Sequence, residues 1–186
     1  MNSSNLKLTG IAIIVFALII AGSQSTYVVK PGFRGIRVTL GEVSPLFLKE
    51  GFGMRAPFVT RIVTVNVRQQ TSELAANCYS SDLQQVKTQL KVLYRIPEVS
   101  AVNIYQNYWG DPFNSLIAPR LHESLKEVTA QQSAEQIVQN REMIKTKTLD
   151  LLRAKVGPIL EINDLVVEDI SLTKELETAI IFYNRF

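Results

Sequence analysis

Residues 86–96 read VKTQLKVLYRI, and this stretch decides the fold class of the 186-residue chain. Every second side chain, from Val86 to Ile96, is apolar or threonine. The intervening positions are Lys, Gln or Arg, with Leu93 as the exception. Such alternation predicts a β-strand with one buried face and one wet face, as in a sheet that is covered on one side.

The hydrophobic period changes after Pro97. Residues 99–108 can form a short helix, and Asp111 followed by Pro112 is typical of the start of another, with Asp as N-cap and Pro in the first turn. Apolar residues then recur every three or four positions: Phe113, Ile117, Leu121, Leu125 and Val128. Pro119 lies within this pattern, so the helix either starts later or bends there.

A further helix is predicted over residues 134–152. Ser133 and Gln136 form a capping-box pattern, Ile144 lies in its apolar stripe, and Gly157-Pro158 ends the helix. Residues 159–172 return to strand character, with a turn expected at residues 163–164. A last helix can begin after Thr173.

Upstream, residues 27–67 read as short strands and turns. Residues 46–57 have the glycines and proline of a loop, which we expect to wrap around Phe47, Leu48 and Phe52. Strands therefore come first, helices follow, and one strand returns. This segregation predicts an α+β fold with an antiparallel or mixed sheet and two to three packed helices.

An uncharged apolar segment, LTGIAIIVFALIIAG, occupies residues 8–22. Extended to residues 6–25, it reaches the roughly 20 residues that a membrane-spanning helix needs. We therefore expect a single-pass N-terminal membrane anchor over residues 1–25. A cleaved signal peptide is the alternative, because residues 21–23 (AGS) resemble a small-residue cleavage site.

Composition excludes several classes of protein. Hydrophobic residues make up 46% and charged residues 20%, which is ordinary for a globular chain and argues against disorder. The net charge is only +3 and the basic residues are spread along the chain, so no nucleic-acid partner is expected. Cys78 is the single cysteine; it can form no internal disulfide and is expected to be a buried thiol.

Five short motifs, taken in order, resemble one family. They are VVKPGFRG at 28–35, EGFG at 50–53, APF at 56–58, DLQQV at 82–86 and DISLT at 169–173 with AI at 179–180. Together they resemble the band-7 (SPFH) domain that stomatins, prohibitins and flotillins share. The fourth and fifth favour the prohibitin branch. The resemblance implies a band-7 domain over residues 26–173 and a short helical tail over residues 174–186.

The resemblance also implies a function. Such proteins are membrane scaffolds that bind the lipid bilayer, form homo-oligomers or hetero-oligomers with related band-7 proteins, and often bind a membrane AAA protease. It implies a single-pass protein of the plasma or inner membrane in a bacterium, or of the inner mitochondrial membrane in a eukaryote. We expect no enzyme activity.

The end of the chain departs from the prohibitin pattern. Prohibitins continue from the AI position into a long helix that pairs with neighbours, whereas residues 180–186 here read IIFYNRF, without heptads. The long assembly helix is therefore expected to be absent. A truncated product and a natural short form both remain open.

No catalytic, cofactor or metal site is predicted. His122 is the only histidine, and an anchored hydrolase would need it beside Ser115 or Ser124. Gly51 and Gly53 lack the third glycine of a phosphate loop.

Two further groups have structural interpretations. Glu168 and Asp169 are expected to be surface charge, since adjacent strand residues point to opposite faces. Tyr105, Tyr108 and Trp109 are expected to pack in the core or an interface.

Two lateral contact surfaces are expected: the wet face of the 86–96 strand and the stripe on the 134–152 helix. The stripe can instead pack on the sheet. Two other functions stay open, namely a secreted or periplasmic binding domain after signal cleavage, and an anchored hydrolase.

Overall fold

The computed structural model describes residues 22–172 together with positions 12–13, 15–16 and 19–20. It contains two compact units, which we call unit 1 (Met1–Val67) and unit 2 (Arg68–Phe186). Much of the predicted anchor and all of the predicted tail over residues 174–186 lie outside the described residues.

Unit 1 is built from five short strands. They are β1 (Thr26–Val29), β2 (Phe33–Thr39), β3 (Glu42–Leu48), β4 (Gly51–Met54) and β5 (Thr60–Asn66). β1 pairs with β4, and the other three form a sheet in the order β3–β2–β5, with every pair antiparallel. The core of this unit is small and centres on Val29, Ile36 and Val65.

The loop predicted over residues 46–57 is wrong in part. β3 runs on to Leu48 and β4 begins at Gly51, so only the turn between them and the end of the segment are irregular. Phe52 is 72% exposed instead of being enclosed. The reason is that, among the residues that the structure describes, β4 pairs with β1 alone, and Val28 opposite Phe52 on the ribbon is exposed as well.

Unit 2 contains the strand that decides the fold class. β6 (Gln70–Tyr79), β7 (Gln85–Arg95) and β8 (Glu161–Leu172) form an antiparallel sheet in the order β6–β7–β8. Along β7 the side chains of Val86, Leu90 and Val92 are buried, whereas Lys87 and Gln89 are exposed. The predicted alternation is confirmed.

Helices in unit 2 lie between β7 and β8 in sequence. They are α1 (Ala101–Tyr108), α2 (Ala118–Thr129), α3 (Ala134–Gln139) and α4 (Arg141–Val156). A π-helical turn, Phe113–Ile117, leads directly into α2, so Pro119 falls in the first turn of the regular helix, where it is tolerated. Asp111 caps this segment, since its Oδ1 accepts from the Asn114 N–H at 3.2 Å.

The helix predicted over residues 134–152 is two helices. The capping box at Ser133 and Gln136 is confirmed, but the chain leaves helical geometry at Asn140, with φ −109° and ψ 46°. The Asn140 carbonyl then accepts hydrogen bonds from the backbone N–H groups of Met143 and Ile144, and a separate helix, α4, begins there. Between residues 68 and 172 the chain thus has four α-helices where two or three were expected, and its class is α+β as predicted.

The turn expected at residues 163–164 is wrong. β8 continues through it, because Leu93 pairs with Asp164 and Tyr94 with Ile162. Asn163 is therefore the extra residue of a β-bulge, which lets a long strand stay in register with its neighbour.

The N-terminal segment is helical at each described position between residues 12 and 23. Ile13 and Phe16 are 64% and 65% exposed, and Ile19 is 63% exposed. Within the described positions, no helix combines the length and apolar character that crossing a bilayer requires.

Candidate functional site

His122 lies half-buried on α2. Its pKa is lowered by burial and, to a lesser extent, by the nearby Lys126 ammonium. Ser124 is fully buried two positions along the helix, and helix positions two apart do not face each other. Ser115 is exposed in the π-helical turn. Ser124 therefore does not face His122 along the helix.

The aromatic cluster divides between the core and the surface. Tyr105 is buried and Tyr108 is half-buried, but Trp109 is 84% exposed in a left-handed conformation, with φ 52°. The Tyr105 and Trp109 rings meet edge to face at 6.3 Å. Tyr105 is therefore packed in the core, whereas Trp109 is exposed to solvent.

The other sequence candidates have structural roles. Cys78 is a buried free thiol, as predicted, and burial raises its pKa. Gly53 lies in a strand, β4, and a Cβ there would overlap the Tyr27 ring unless that ring moved. Across the part of the chain that the structure describes, no cluster of three or more His, Cys, Asp or Glu residues could hold a metal ion.

The wet face of the unit 2 sheet carries a ladder of charges. Lys91 in the central strand lies 2.6 Å from Glu168 on β8 and 3.1 Å from Glu73 on β6. These two carboxylates, Glu168 first, raise the pKa of Lys91. Arg95 and Glu161 add a second cross-strand pair at 2.6 Å. The ladder spans all three strands and leaves this face hydrated.

The helix stripe proposed as a lateral surface is not available for contacts. Ile137, Ile144 and Leu152 are each 2% exposed or less, so this expectation was wrong. The stripe is covered within unit 2, where α4 packs against α2 and β8. The alternative, that it packs on the sheet, is the one observed.

One end of unit 1 has a feature that the sequence patterns did not predict, and we call it the unit 1 tip (Leu40, Gly41 and residues 55–61). A hollow of about 520 Å³ opens there, bordered by Val38, Arg55 and Arg61. Leu40 is 83% exposed and Phe58 80% exposed, both with left-handed backbone, at φ 50° and 65°.

Two hydrogen bonds hold the two turns of the tip together. The Leu40 N–H donates to the Val59 carbonyl at 3.0 Å, and the Thr39 and Thr60 hydroxyls lie 3.2 Å apart. These bonds fix the two turns, and the exposed Leu40 and Phe58 both border the hollow between them.

Arg55 joins the tip to the end of the N-terminal segment. Its backbone N–H donates to the Ser25 carbonyl at 2.7 Å, and its Nε donates to the Gln24 carbonyl at 3.2 Å. A sequence signal existed: Leu40 and Phe58 occupy turn positions where small or polar residues are the rule.

Comparison with known proteins agrees with the motifs. The model of the SPFH domain / Band 7 family matches residues 27–181. Prohibitin-1 of Colletotrichum higginsianum is 33% identical over 81% of this chain and 54% of its own length. Prohibitin-1 of Saccharomyces cerevisiae is 30% identical, covering 84% and 54%.

A third relative, Prohibitin-6, mitochondrial, of Arabidopsis thaliana, is 27% identical over 91% of this chain and 60% of its own. The chain thus spans little more than half the length of these relatives. Because the family model matches well over half of its residues, in the segment that the motifs marked, the chain belongs to the SPFH/band-7 family.

Proposed function

We propose that this protein is a prohibitin-like scaffold, held at a membrane by residues 1–25, that oligomerises there and organises or regulates membrane proteins. A membrane-bound AAA protease is one such client. In this proposal the chain catalyses no reaction, and residues 26–173 form the band-7 domain. The membrane is the plasma or inner membrane of a bacterium, or the inner mitochondrial membrane of a eukaryote, as the word "mitochondrial" in a relative's name favours.

One observation carries the membrane part of the proposal. Five large apolar side chains at the helical positions described between residues 12 and 20 are 39–65% exposed. They are Ile13, Val15, Phe16, Ile19 and Ile20. Exposing so many large apolar groups to water is unfavourable, at about 25 cal/mol per Å². A bilayer core covers such a surface from every side.

Membrane extraction tests the anchor. We expect the full chain to stay in the membrane pellet after carbonate treatment, and Phe16→Lys to shift it towards the supernatant. A lysine at the centre of a spanning helix costs roughly 2.5–3.5 kcal/mol. Val99→Lys is the matched control, because Val99 is an exposed apolar residue (80%) of unit 2.

N-terminal sequencing of the mature protein decides the signal-peptide alternative. Mature chains that start near Gln24 and appear in the carbonate supernatant would contradict the anchor. They would support the secreted or periplasmic binding domain instead.

The oligomeric part of the proposal uses the wet face of the unit 2 sheet, since the helix stripe is buried. Oligomers confined to one membrane plane need only weak lateral contacts, because anchoring raises their effective concentration. The Lys91 ladder offers both signs of charge to a neighbouring copy.

Site-specific crosslinking tests this surface. Cys78 is the only cysteine, so Cys78→Ala gives a background without thiols. Gln89→Cys on the sheet face should give crosslinked ladders in membranes, whereas Gln106→Cys on α1 should not; both positions are exposed. Equal crosslinking at the two positions, or none at either, would refute this surface.

A further inference from the structure

The two edges of the unit 2 sheet are built differently. Strand β8 forms one edge, and two register shifts interrupt its pairing with β7. Arg153 of α4 also engages the backbone of β8, since its Nε donates to the Ile162 carbonyl at 2.9 Å and its Nη2 to the Asn163 carbonyl at 2.8 Å. Bulges and engaged backbone groups keep a sheet edge from pairing with another chain, so the β8 edge is protected.

The β6 edge has none of these features. Its ten residues, Gln70–Tyr79, pair with β7 in one continuous antiparallel register without a bulge. The strand contains no proline, and Glu73 is its one charged residue. The side chains at its centre, Ala75 and Ala76, are small. A long and regular edge strand of this kind is a template for pairing with another strand.

The hairpin that joins β6 to β7 shows which backbone groups of β6 point away from the sheet. The Ser80 N–H donates to the Gln84 carbonyl at 3.0 Å, and the Thr88 hydroxyl of β7 donates to the Ala76 carbonyl at 3.3 Å. Because hydrogen-bonded pairs alternate along antiparallel strands, the even-numbered residues of β6 face β7 and the odd-numbered ones turn their N–H and C=O groups outward.

The outward backbone groups of β6 are open to a partner. They belong to five residues whose side chains are exposed: Thr71, Glu73, Ala75, Asn77 and Tyr79. Among the described residues, no backbone hydrogen bond joins these five to any element other than β7. An added strand would give every outward N–H and C=O a partner.

We propose that β6 pairs antiparallel with β6 of a second copy of this chain, so that two three-stranded sheets become one sheet of six strands. The inference rests on the proposed function and deepens it, because it names how two copies meet and leaves the wet face for further copies. A strand edge that pairs antiparallel with itself is self-complementary, as a twofold interface requires. Anchored copies share one membrane plane, which raises their effective concentration.

One register uses the whole edge. When Ala75 lies opposite Ala75 of the second copy, Thr71 lies opposite Tyr79 and Glu73 opposite Asn77. Glu73 contacts Lys91 through its Oε1 at 3.1 Å, so its Oε2 can accept from the Asn77 amide. A register that placed the two Glu73 side chains opposite each other would bring like charges together and leave part of the edge unpaired. Charge and strand length therefore both favour the register centred on Ala75.

Amide hydrogen exchange of the full chain in detergent micelles tests the edge residue by residue. The Ala75 and Asn77 amides should exchange slowly at concentrations where sedimentation shows dimers, and quickly after dilution to monomers. The Ala76 and Cys78 amides bond to β7 and should stay protected at both concentrations. Such a concentration-dependent alternation is specific to strand pairing. Fast exchange at Ala75 and Asn77 in the dimer, or a chain that stays monomeric, overturns the proposal.

A proline substitution tests the contribution of the outward N–H. Ala75→Pro removes a group that points away from β7, a position where an edge strand tolerates proline. It deletes one intermolecular bond from each copy and should weaken dimerisation about thirtyfold, as measured by sedimentation equilibrium. Ala75→Ser keeps the N–H and should dimerise as the unmodified chain does. Circular dichroism checks that both variants are folded, and equal dimerisation by the two contradicts strand pairing.

Charges introduced at Asn77 have opposite effects within one chain and between two. Within the chain Asn77 lies opposite Lys87 on β7, whereas across the proposed interface it lies opposite Glu73. Asn77→Lys should therefore strengthen the dimer about fivefold while lowering the stability of unit 2, and Asn77→Glu should do the reverse. A dimer that strengthens with Asn77→Glu and weakens with Asn77→Lys would show that β6 meets something other than a second β6.

The wet-face crosslink separates this proposal from the proposed function. If Ala75→Pro and Ala75→Ser dimerise equally while Gln89→Cys still crosslinks in membranes, the β6 pairing is refuted and the scaffold stands. If the chain is monomeric and Gln89→Cys forms no crosslinks, oligomerisation itself is wrong and both proposals fall. Loss of dimers in Ala75→Pro alone, with protected Ala75 and Asn77 amides in the unmodified chain, is the result that we expect.

Discussion

Units 1 and 2 are both built on antiparallel sheets, yet the cores that they close differ in size. Unit 2 has a large closed core, with Ile137, Leu152 and Leu165 each 0% exposed, although its surface carries Val99 and Trp109 at 80% exposure or more. Unit 1 has a small core and leaves Leu40 and Phe58 at least 80% exposed. The two units therefore differ in how much apolar surface they bury, and not in whether they expose large apolar side chains.

The cause lies in what covers each sheet. The four α-helices lie within unit 2, and α4 packs against β8. Between residues 26 and 67 the described chain forms strands and turns without an α-helix. Between residues 26 and 67 the strands of unit 1 therefore lack the helical layer that closes the core of unit 2.

The largest expected effect comes from replacing one leucine by alanine in each unit, which tests directly whether the two units differ. Leu152→Ala should lower the free energy of unfolding by about 2–5 kcal/mol, because it leaves a cavity in a closed core. Leu40→Ala removes the same atoms from a residue that is 83% exposed and should change stability by less than about 0.5 kcal/mol. Denaturant titration followed by circular dichroism measures both. A large loss from Leu40→Ala would show that the tip is packed and that the two units do not differ.

Local sequence patterns predicted unit 2 better than unit 1. The alternation along β7 and the Ser133 cap each depend on residues that are close together in the sequence, and both predictions are confirmed. The break at Asn140 and the bulge at Asn163 were missed, because pairing with distant elements decides them. Family motifs identified the domain, but motifs do not encode exposure.

The unit 1 tip escaped prediction for the same reason. Leu40 and Phe58 read as ordinary apolar residues, and only the pairing of β2 with β5 brings their turns together. Arg55 meets Ser25 across some 30 residues of chain, through a contact that no local spacing predicts.

Loss of the α3 cap should sharpen the comparison with a smaller effect. The Ser133 hydroxyl accepts from the Gln136 N–H at 3.3 Å, and Ser133→Ala should cost about 1 kcal/mol of stability. Ser115→Ala is the control, since Ser115 is exposed, and it should change little. Thermal unfolding in the same buffer compares them. Equal stability of the two variants would mean that the cap does not contribute to unit 2.

The smallest effect concerns the protonation of His122, the histidine that a hydrolase in unit 2 would use as its base. Burial and Lys126 lower its pKa below the usual 6.5, so the imidazole is neutral at pH 7. A lowered pKa means that the associated stability is present above pH 6.5 and is lost as the pH falls through the folded-state value. As the only histidine, it gives one Hε1 signal whose proton NMR titration measures this pKa directly. Lys126→Gln should raise the midpoint part of the way, because burial remains, and Lys147→Gln on α4 should not move it. A midpoint above 6.5 would instead indicate a carboxylate partner for the imidazole, which is the arrangement that the hydrolase alternative needs.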